Sequence, residues 1–169
     1  MHLCHDSRTP TPARGAAPII CAGVTTYKGL KETQARPGEW VVISGVGGLG
    51  HLAVQYAKAM GLQVCAVDVD EGKLAHATKL GADAVVNVRH DDPVAAVRGL
   101  TGGGAHGVLV TAPTLSAFHQ GVGMTRKRGT CVLVELPPGE FPTPLSAINT
   151  VFERLAAGQV PSRVVLDFA

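Results

Sequence analysis

Residues 44–51 read SGVGGLGH, with glycines at 45, 47, 48 and 50 set between an apolar run and a long helical pattern. Glycine is costly inside regular structure, so four of them within six residues mark a backbone that turns sharply or lets another group approach closely. Just before them, EWVVIS (39–44) is short, β-branched and bounded by turn signals, the pattern of a fully buried strand. Just after, LGHLAVQYAKAMG (49–61) sets Leu49, Ala53, Tyr56 and Ala57 on one helical face and stops at Gly61, which suits a C-terminal cap.

The alternation continues downstream. LQVCAVDVD (62–70), DAVVNV (83–88), GVLVTA (107–112) and TCVLVEL (130–136) read as strands, separated by the helical patterns EGKLAHATKLG (71–81), DDPVAAVRGLT (91–101) and LSAFHQGVGMTRKRG (115–129). Apolar strands alternating with amphipathic helices are βαβ units that close right-handedly. The expected fold is therefore α/β, a doubly wound parallel sheet with helices on both faces. The basic triplet Arg126-Lys127-Arg128 reads as the solvated end of the last of these helices.

At the edges the rhythm changes. Residues 1–15 carry no apolar periodicity and read as a disordered lead-in, with structure expected from Ala16, where AAPIICAGVTTYKGLKE (16–32) has helical spacing. PPGEFPTPLSA (137–147) holds four prolines and reads as a loop, followed by a helix over 148–160 and a short strand, RVVLDF (163–168).

At 169 residues, one domain over 16–169 is the expected organisation. With 46% hydrophobic and 17% charged residues and a net charge of +2, composition gives no reason to expect nucleic acid or a membrane as partner. Cys4, Cys21, Cys65 and Cys131 lack paired spacing, so neither a disulfide framework nor a self-contained zinc site is written in the chain. Cys65 and Cys131 fall in apolar strands and read as core residues. With no secretory or membrane-length apolar segment, the expected compartment is cytoplasmic. His51 and His76 read as structural or surface residues, and His90, His106 and His119 as lying in loops or on helix faces.

Between a strand and a helix, the pattern Gly45-x-Gly47-x-x-Gly50 has a physical reading. The first glycine makes the tight turn, the second admits a phosphate close to the backbone, and the third lets helix and strand pack. A pyrophosphate would sit at the N-terminus of the helix that starts near Gly48, where free N–H groups and the helix dipole favour an anion. Asp68 ends the second strand eighteen residues after Gly50, where a carboxylate accepts hydrogen bonds from an adenosine ribose. It would repel the 2′-phosphate of NADP, so NAD is the expected cofactor, with Lys73 the nearby cation that softens the preference. A purely structural glycine turn and a methyltransferase remain the alternatives on these residues alone.

The stretches GAAPIICAGVTTYKGLK, GVGGLGHLAVQYAKAMG, AVDVDEGKLAHATKLGAD and VLVELPPGEFPTP, in this order, resemble the zinc-dependent alcohol dehydrogenases of the medium-chain dehydrogenase/reductase superfamily, and among them the bacterial, propanol-preferring type. The resemblance covers residues 16 to about 145 and returns over about 147–168. It implies that Cys21 is one ligand of a catalytic zinc and that Thr25 packs against the nicotinamide. It further implies that Gly45, Gly47, Gly48, Leu49 and Gly50 form the pyrophosphate loop, with Asp68 and Lys73 on the adenosine ribose. Thr111, Ala112, Val134 and Leu136 then line the nicotinamide slot, and Arg163 reaches the pyrophosphate.

The departures carry expectations too. The family's β-rich first half, with the remaining zinc ligands, has no counterpart here, and the family's last strands, including its dimer edge, are missing near 145–147. His2, Cys4 and His5 are metal-capable but sit in no family motif. Glu135 replaces a glycine usual in the nicotinamide slot. The leading expectation is the NAD-binding part of a homo-oligomeric enzyme that oxidises small alcohols to aldehydes or ketones, with zinc as second cofactor. The alternative is a non-catalytic NAD-binding module or inactive remnant, and a zinc-free quinone-reductase-like relative is disfavoured by Cys21 and Asp68.

Overall fold

The computed structural model describes residues 19–135 and the strand Val165–Asp167. The lead-in 1–15, Ala16 as the start of structure, the loop 137–147 with its gap, the helix over 148–160, and site candidates Leu136 and Arg163 lie outside the described residues.

A π-helical turn, Ile19–Gly23, runs into α1 (Val24–Glu32). Then follow β1 (Trp40–Ser44), α2 (Gly50–Ala59), β2 (Gln63–Asp68), α3 (Glu71–Lys79), β3 (Ala84–Asn87), α4 (Pro93–Thr101), β4 (Ala105–Val110), α5 (Leu115–Met124), β5 (Thr125–Leu133) and β6 (Val165–Asp167). The sheet order is β3-β2-β1-β4-β5-β6. β1 to β5 are parallel, and β6 pairs antiparallel with β5 through Cys131↔Leu166. The strand expected over 163–168 thus closes a five-stranded parallel sheet at its edge with the opposite direction. Apolar patterning reports burial, not strand direction, so the sequence carried no sign of it.

The strands are apolar on both faces because both are covered. Val41, Ile43, Val64, Ala66, Leu109 and Val132 pack under Leu30 of α1, Ala53, Val54 and Ala57 of α2, and Leu74 and Ala77 of α3. Val42, Cys65, Val67, Val86, Val108, Val110 and Cys131 pack under Val97 of α4 and Ala117, Phe118 and Met124 of α5. At about 25 cal/mol per Å² of apolar surface removed from water, each fully buried Val or Leu contributes roughly 1.5–3 kcal/mol. The buried face of α2 is Gly50, Ala53, Val54 and Ala57, with Leu49 and Tyr56 half-buried at its margin.

Local chemistry sets the helix ends. Asp70, Asp92 and Thr114 cap α3, α4 and α5 by accepting the amide protons of Lys73, Val94 and Ala117. Gly61 (φ 76°) ends α2 as expected.

Two expectations are corrected. α5 ends at Met124, and Arg126, Lys127 and Arg128 lie within β5 rather than on a helix end. Thr125 turns extended (φ −75°, ψ 135°), and the β4–β5 register jumps from Ala105↔Thr125 to Gly107↔Thr130. The basic triplet forms the outward bulge between those pairings. His106 lies on β4, not in a loop or on a helix.

Candidate functional site

The order β3-β2-β1-β4-β5 reverses direction at β1, so the crevice between the carboxyl ends of β1 and β4 is the topological switch point. The glycine turn leaves β1 there. Gly45 has φ 95°, a conformation side chains avoid, and a Cβ on it would come within 2.8 Å of the Ala112 amide nitrogen. A Cβ on Gly50 would come within 1.9 Å of the Gly45 carbonyl oxygen. The fold itself requires these two glycines. Gly47 and Gly48 differ: neither has a positive φ, and a Cβ on either would meet nothing within 4 Å. The protein leaves open space where the sequence keeps side chains out.

The turn is anchored on both sides. Asp68, buried at the end of β2, accepts the Val46 amide proton on Oδ2 (2.7 Å) and those of Val69 (2.8 Å) and Asp70 (3.0 Å) on Oδ1. From β4, the Thr111 hydroxyl donates to the Gly45 carbonyl (2.7 Å), and the Thr111 and Ala112 amides donate to Ser44. No side chain caps α2; the His51 and Leu52 amides already donate to the Gly47 and Leu49 carbonyls, so an external acceptor would meet the amides of the turn just ahead of them, around Gly47 and Gly48.

Beside the turn lies a cleft of about 260 Å³ whose walls include Gly45, Gly47, Asp68, Lys73, Thr111 and Ala112. The exposed Lys73 ammonium stands 3.9 Å from Asp68 Oδ1. Having three amide bonds, the Asp68 carboxylate keeps lone-pair capacity for a further donor. Asp68 therefore serves the loop as well as the cleft, a role the sequence reading missed. The cleft also takes in Thr114, Ser116 and Gln120 from the start of α5. Their only sequence signal was the Thr-x-x capping position before a helical pattern.

The other candidates stand apart from this cleft. Leu49 is the N-cap residue of α2. Thr25 is half-buried in the first turn of α1, and Val134, just beyond β5, donates its amide proton to Val110 (3.0 Å). Cys21 is exposed on the π-helical turn, which packs against Tyr56 of α2 beside the edge-to-face pair Tyr27–Tyr56. Among the described residues no three His, Cys, Asp or Glu side chains gather into a metal-holding group, so Cys21 is there a single donor. A catalytic zinc takes three protein ligands, and the described donor set does not fit one. Cys65 and Cys131 are buried on the sheet, and burial pushes both thiols up to about 12.

Comparison with known proteins bears on this site. The zinc-binding dehydrogenase family matches residues 48–158. An alcohol dehydrogenase from a Moraxella species is 44% identical over 194 residues, covering 90% of this chain and 57% of its own length. One from Rhizobium meliloti is 45% identical, with the same two coverages. Among solved structures, the alcohol dehydrogenase of the archaeon Aeropyrum pernix superposes with a TM-score of 0.70 at 32% identity, covering 90% of this chain and 57% of that one. The chain thus spans a little over half the length of these relatives. Among the described residues, no helix is long and apolar enough to cross a membrane.

Proposed function

Since this chain belongs to the zinc-binding dehydrogenase family, we propose that residues 16–169 are the NAD-binding part of a zinc-dependent alcohol dehydrogenase. The observation that carries this reading is the open space at Gly47 and Gly48, at the uncapped start of α2 and beside a buried carboxylate. Among the described residues, nothing packs where a side chain at those two positions would start. A pyrophosphate uses that room, because its oxygens approach the backbone amides directly.

In this reading the amides of the turn around Gly47 and Gly48, just ahead of α2, hold the pyrophosphate, and Asp68 accepts hydrogen bonds from the adenosine ribose hydroxyls. Charge-assisted bonds of that kind are worth roughly 1.5–3 kcal/mol each. Asp68 disfavours a 2′-phosphate at the same place, and Lys73, 3.9 Å away, moderates that repulsion. Thr111 holds the turn in shape. Thr25, Val134, Leu136 and Arg163 are assigned to the nicotinamide and pyrophosphate by the family resemblance. When bound, NAD supplies a nicotinamide ring that accepts a hydride from an alcohol carbon.

The whole protein would oxidise small alcohols in the cytoplasm, as part of a homo-oligomer. An internal gap is supported by the match to the Moraxella enzyme, which spans 194 aligned positions against a chain of 169 residues. The isolation of Cys21 among the described donors favours a second reading for this chain alone: a nucleotide-binding module without chemistry of its own. Titration with NADH and NADPH, followed by quenching of Trp40 and sensitised NADH emission, tests the shared premise. Saturable binding of NADH in preference to NADPH is expected. Absence of NADH binding by the folded chain contradicts both readings, and alcohol-dependent NADH formation separates them.

A further inference from the structure

The peptide unit between Gly47 and Gly48 is the least constrained part of the turn beside the cleft. Glycine stands on both sides of it, and a Cβ built on either residue would meet nothing within 4 Å. Without side chains, the φ and ψ angles flanking that peptide are free to change, and the unit can rotate as a whole. Its orientation matters for the cleft. In a trans peptide the carbonyl and the next amide point in opposite directions, so the Gly47 carbonyl and the Gly48 amide turn together. A flipped unit would present a carbonyl oxygen to an incoming anion where the turn should present an N–H.

One residue holds this unit by its carbonyl. The His51 backbone amide donates to the Gly47 oxygen at 3.1 Å, and the His51 ring Nδ1 lies 2.9 Å from the same oxygen. A carbonyl oxygen only accepts, so the hydrogen bond requires the ring proton on Nδ1, which the neutral Nδ1–H tautomer and the imidazolium both supply. Any residue at position 51 brings the backbone bond. The ring bond needs a side-chain donor two bonds beyond Cβ.

The neighbouring parts of the turn have other anchors. Thr111 holds the Gly45 carbonyl and Asp68 holds the Val46 amide, whereas among the described residues His51 supplies the side-chain bond to the Gly47–Gly48 unit. The Gly48 amide itself donates to no carbonyl among the described residues. His51 is half-buried as the second residue of α2, and the ring of the exposed His76 on α3 has its centroid 6.5 Å away.

We propose that His51 is a positioning residue for the cofactor: its Nδ1–H clamps the Gly47 carbonyl and thereby aims the Gly48 amide at the pyrophosphate. This goes beyond the surface or structural role that the sequence suggested for His51, and it rests on the dinucleotide reading of the cleft.

The test is calorimetric titration of the full chain and its variants with NADH, with Tm recorded for each. His51→Ala and His51→Leu, which lack the donor, should weaken NADH about fivefold, the loss of one neutral hydrogen bond. His51→Asn, whose Nδ2 takes the place of Nδ1, should stay within about twofold of the wild type. His76→Ala should bind as the wild type does. In the ligand-free wild type, 15N NMR at a pH where the ring is neutral should find the His51 proton on Nδ1. NADH affinity unchanged in His51→Ala, a loss that follows Tm and is not rescued in His51→Asn, or a neutral ring protonated on Nε2 would overturn the proposal and leave the cofactor reading standing. A folded wild type that binds no NADH would overturn both.

Discussion

The cleft at the carboxyl ends of β1, β2 and β4 and the turn Ile19–Gly23 both carry residues marked by the family resemblance, and they differ in how far the described chain completes them. Around the cleft every anchor is internal: Asp68 holds Val46, Thr111 holds Gly45, and room remains at Gly47 and Gly48. Around Cys21 there is one sulfur, with Ile20 beside it 72% exposed. A binding loop made of backbone needs only its own strand, helix and neighbouring strands. A metal centre needs side chains from several places, and here those places are not among the described residues.

If the cleft is self-contained, damage to its internal anchors should cost fold stability. Gly50→Ala has the largest expected effect, because its Cβ would lie 1.9 Å from the Gly45 carbonyl oxygen and backbone cannot move aside cheaply. We expect a loss of about 3 kcal/mol, seen as a fall in Tm of roughly 10 °C. An unchanged Tm would show that the turn is looser than described. Asp68→Ala removes the acceptor of three amides and should cost about 2–3 kcal/mol as well as weakening NADH binding. Loss of NADH binding with full stability would mean that Asp68 serves the ligand alone.

Further from the cleft, Lys58 and Asp83 join α2 to the start of β3, with Asp83 also accepting the Val64 amide proton (2.7 Å). Burial raises the Asp83 carboxyl, but the Lys58 ammonium and the Val64 amide outweigh it, and the net shift is downward. A depressed folded value means stability present above the ordinary carboxylate range and lost as pH falls through it, below about pH 4. The pair is partly exposed, so Asp83→Asn should flatten this acid limb by no more than about 1 kcal/mol in denaturation at pH 3 against pH 7. NADH affinity at pH 7 should stay put. The smallest effect belongs to the other side of the comparison: Cys21→Ser should leave Tm and NADH affinity unchanged. Metal analysis of purified protein checks the same residue, since tight zinc lost in Cys21→Ser would show a completed centre.

Much of this was legible in the residues because each signal had a single physical cause. Buried parallel strands read as unbroken apolar runs, and Gly61 marked a helix end. Gly45 and Gly50 carried a spacing that only a tight strand-to-helix turn explains. What escaped had competing causes. The helical spacing of 115–124 flows without a break into Arg126-Lys127-Arg128, and the bulge that carries the triplet depends on β4 pairing, which no local pattern records. Asp68 looked like a ligand residue because its amide partners sit on the turn and on the chain just after it. Strand direction at β6 left no trace in hydrophobicity at all.

The central claim is that Gly47 is glycine for a ligand and not for the fold. Gly47→Val, measured side by side for Tm and for NADH binding by calorimetry, tests it most directly. With open space around the added Cβ, Tm should move by no more than the equivalent of about 0.5 kcal/mol, while the Kd for NADH rises at least about tenfold. A variant that keeps both its stability and its NADH affinity would contradict the claim, as would a wild-type chain that is folded and binds no NADH.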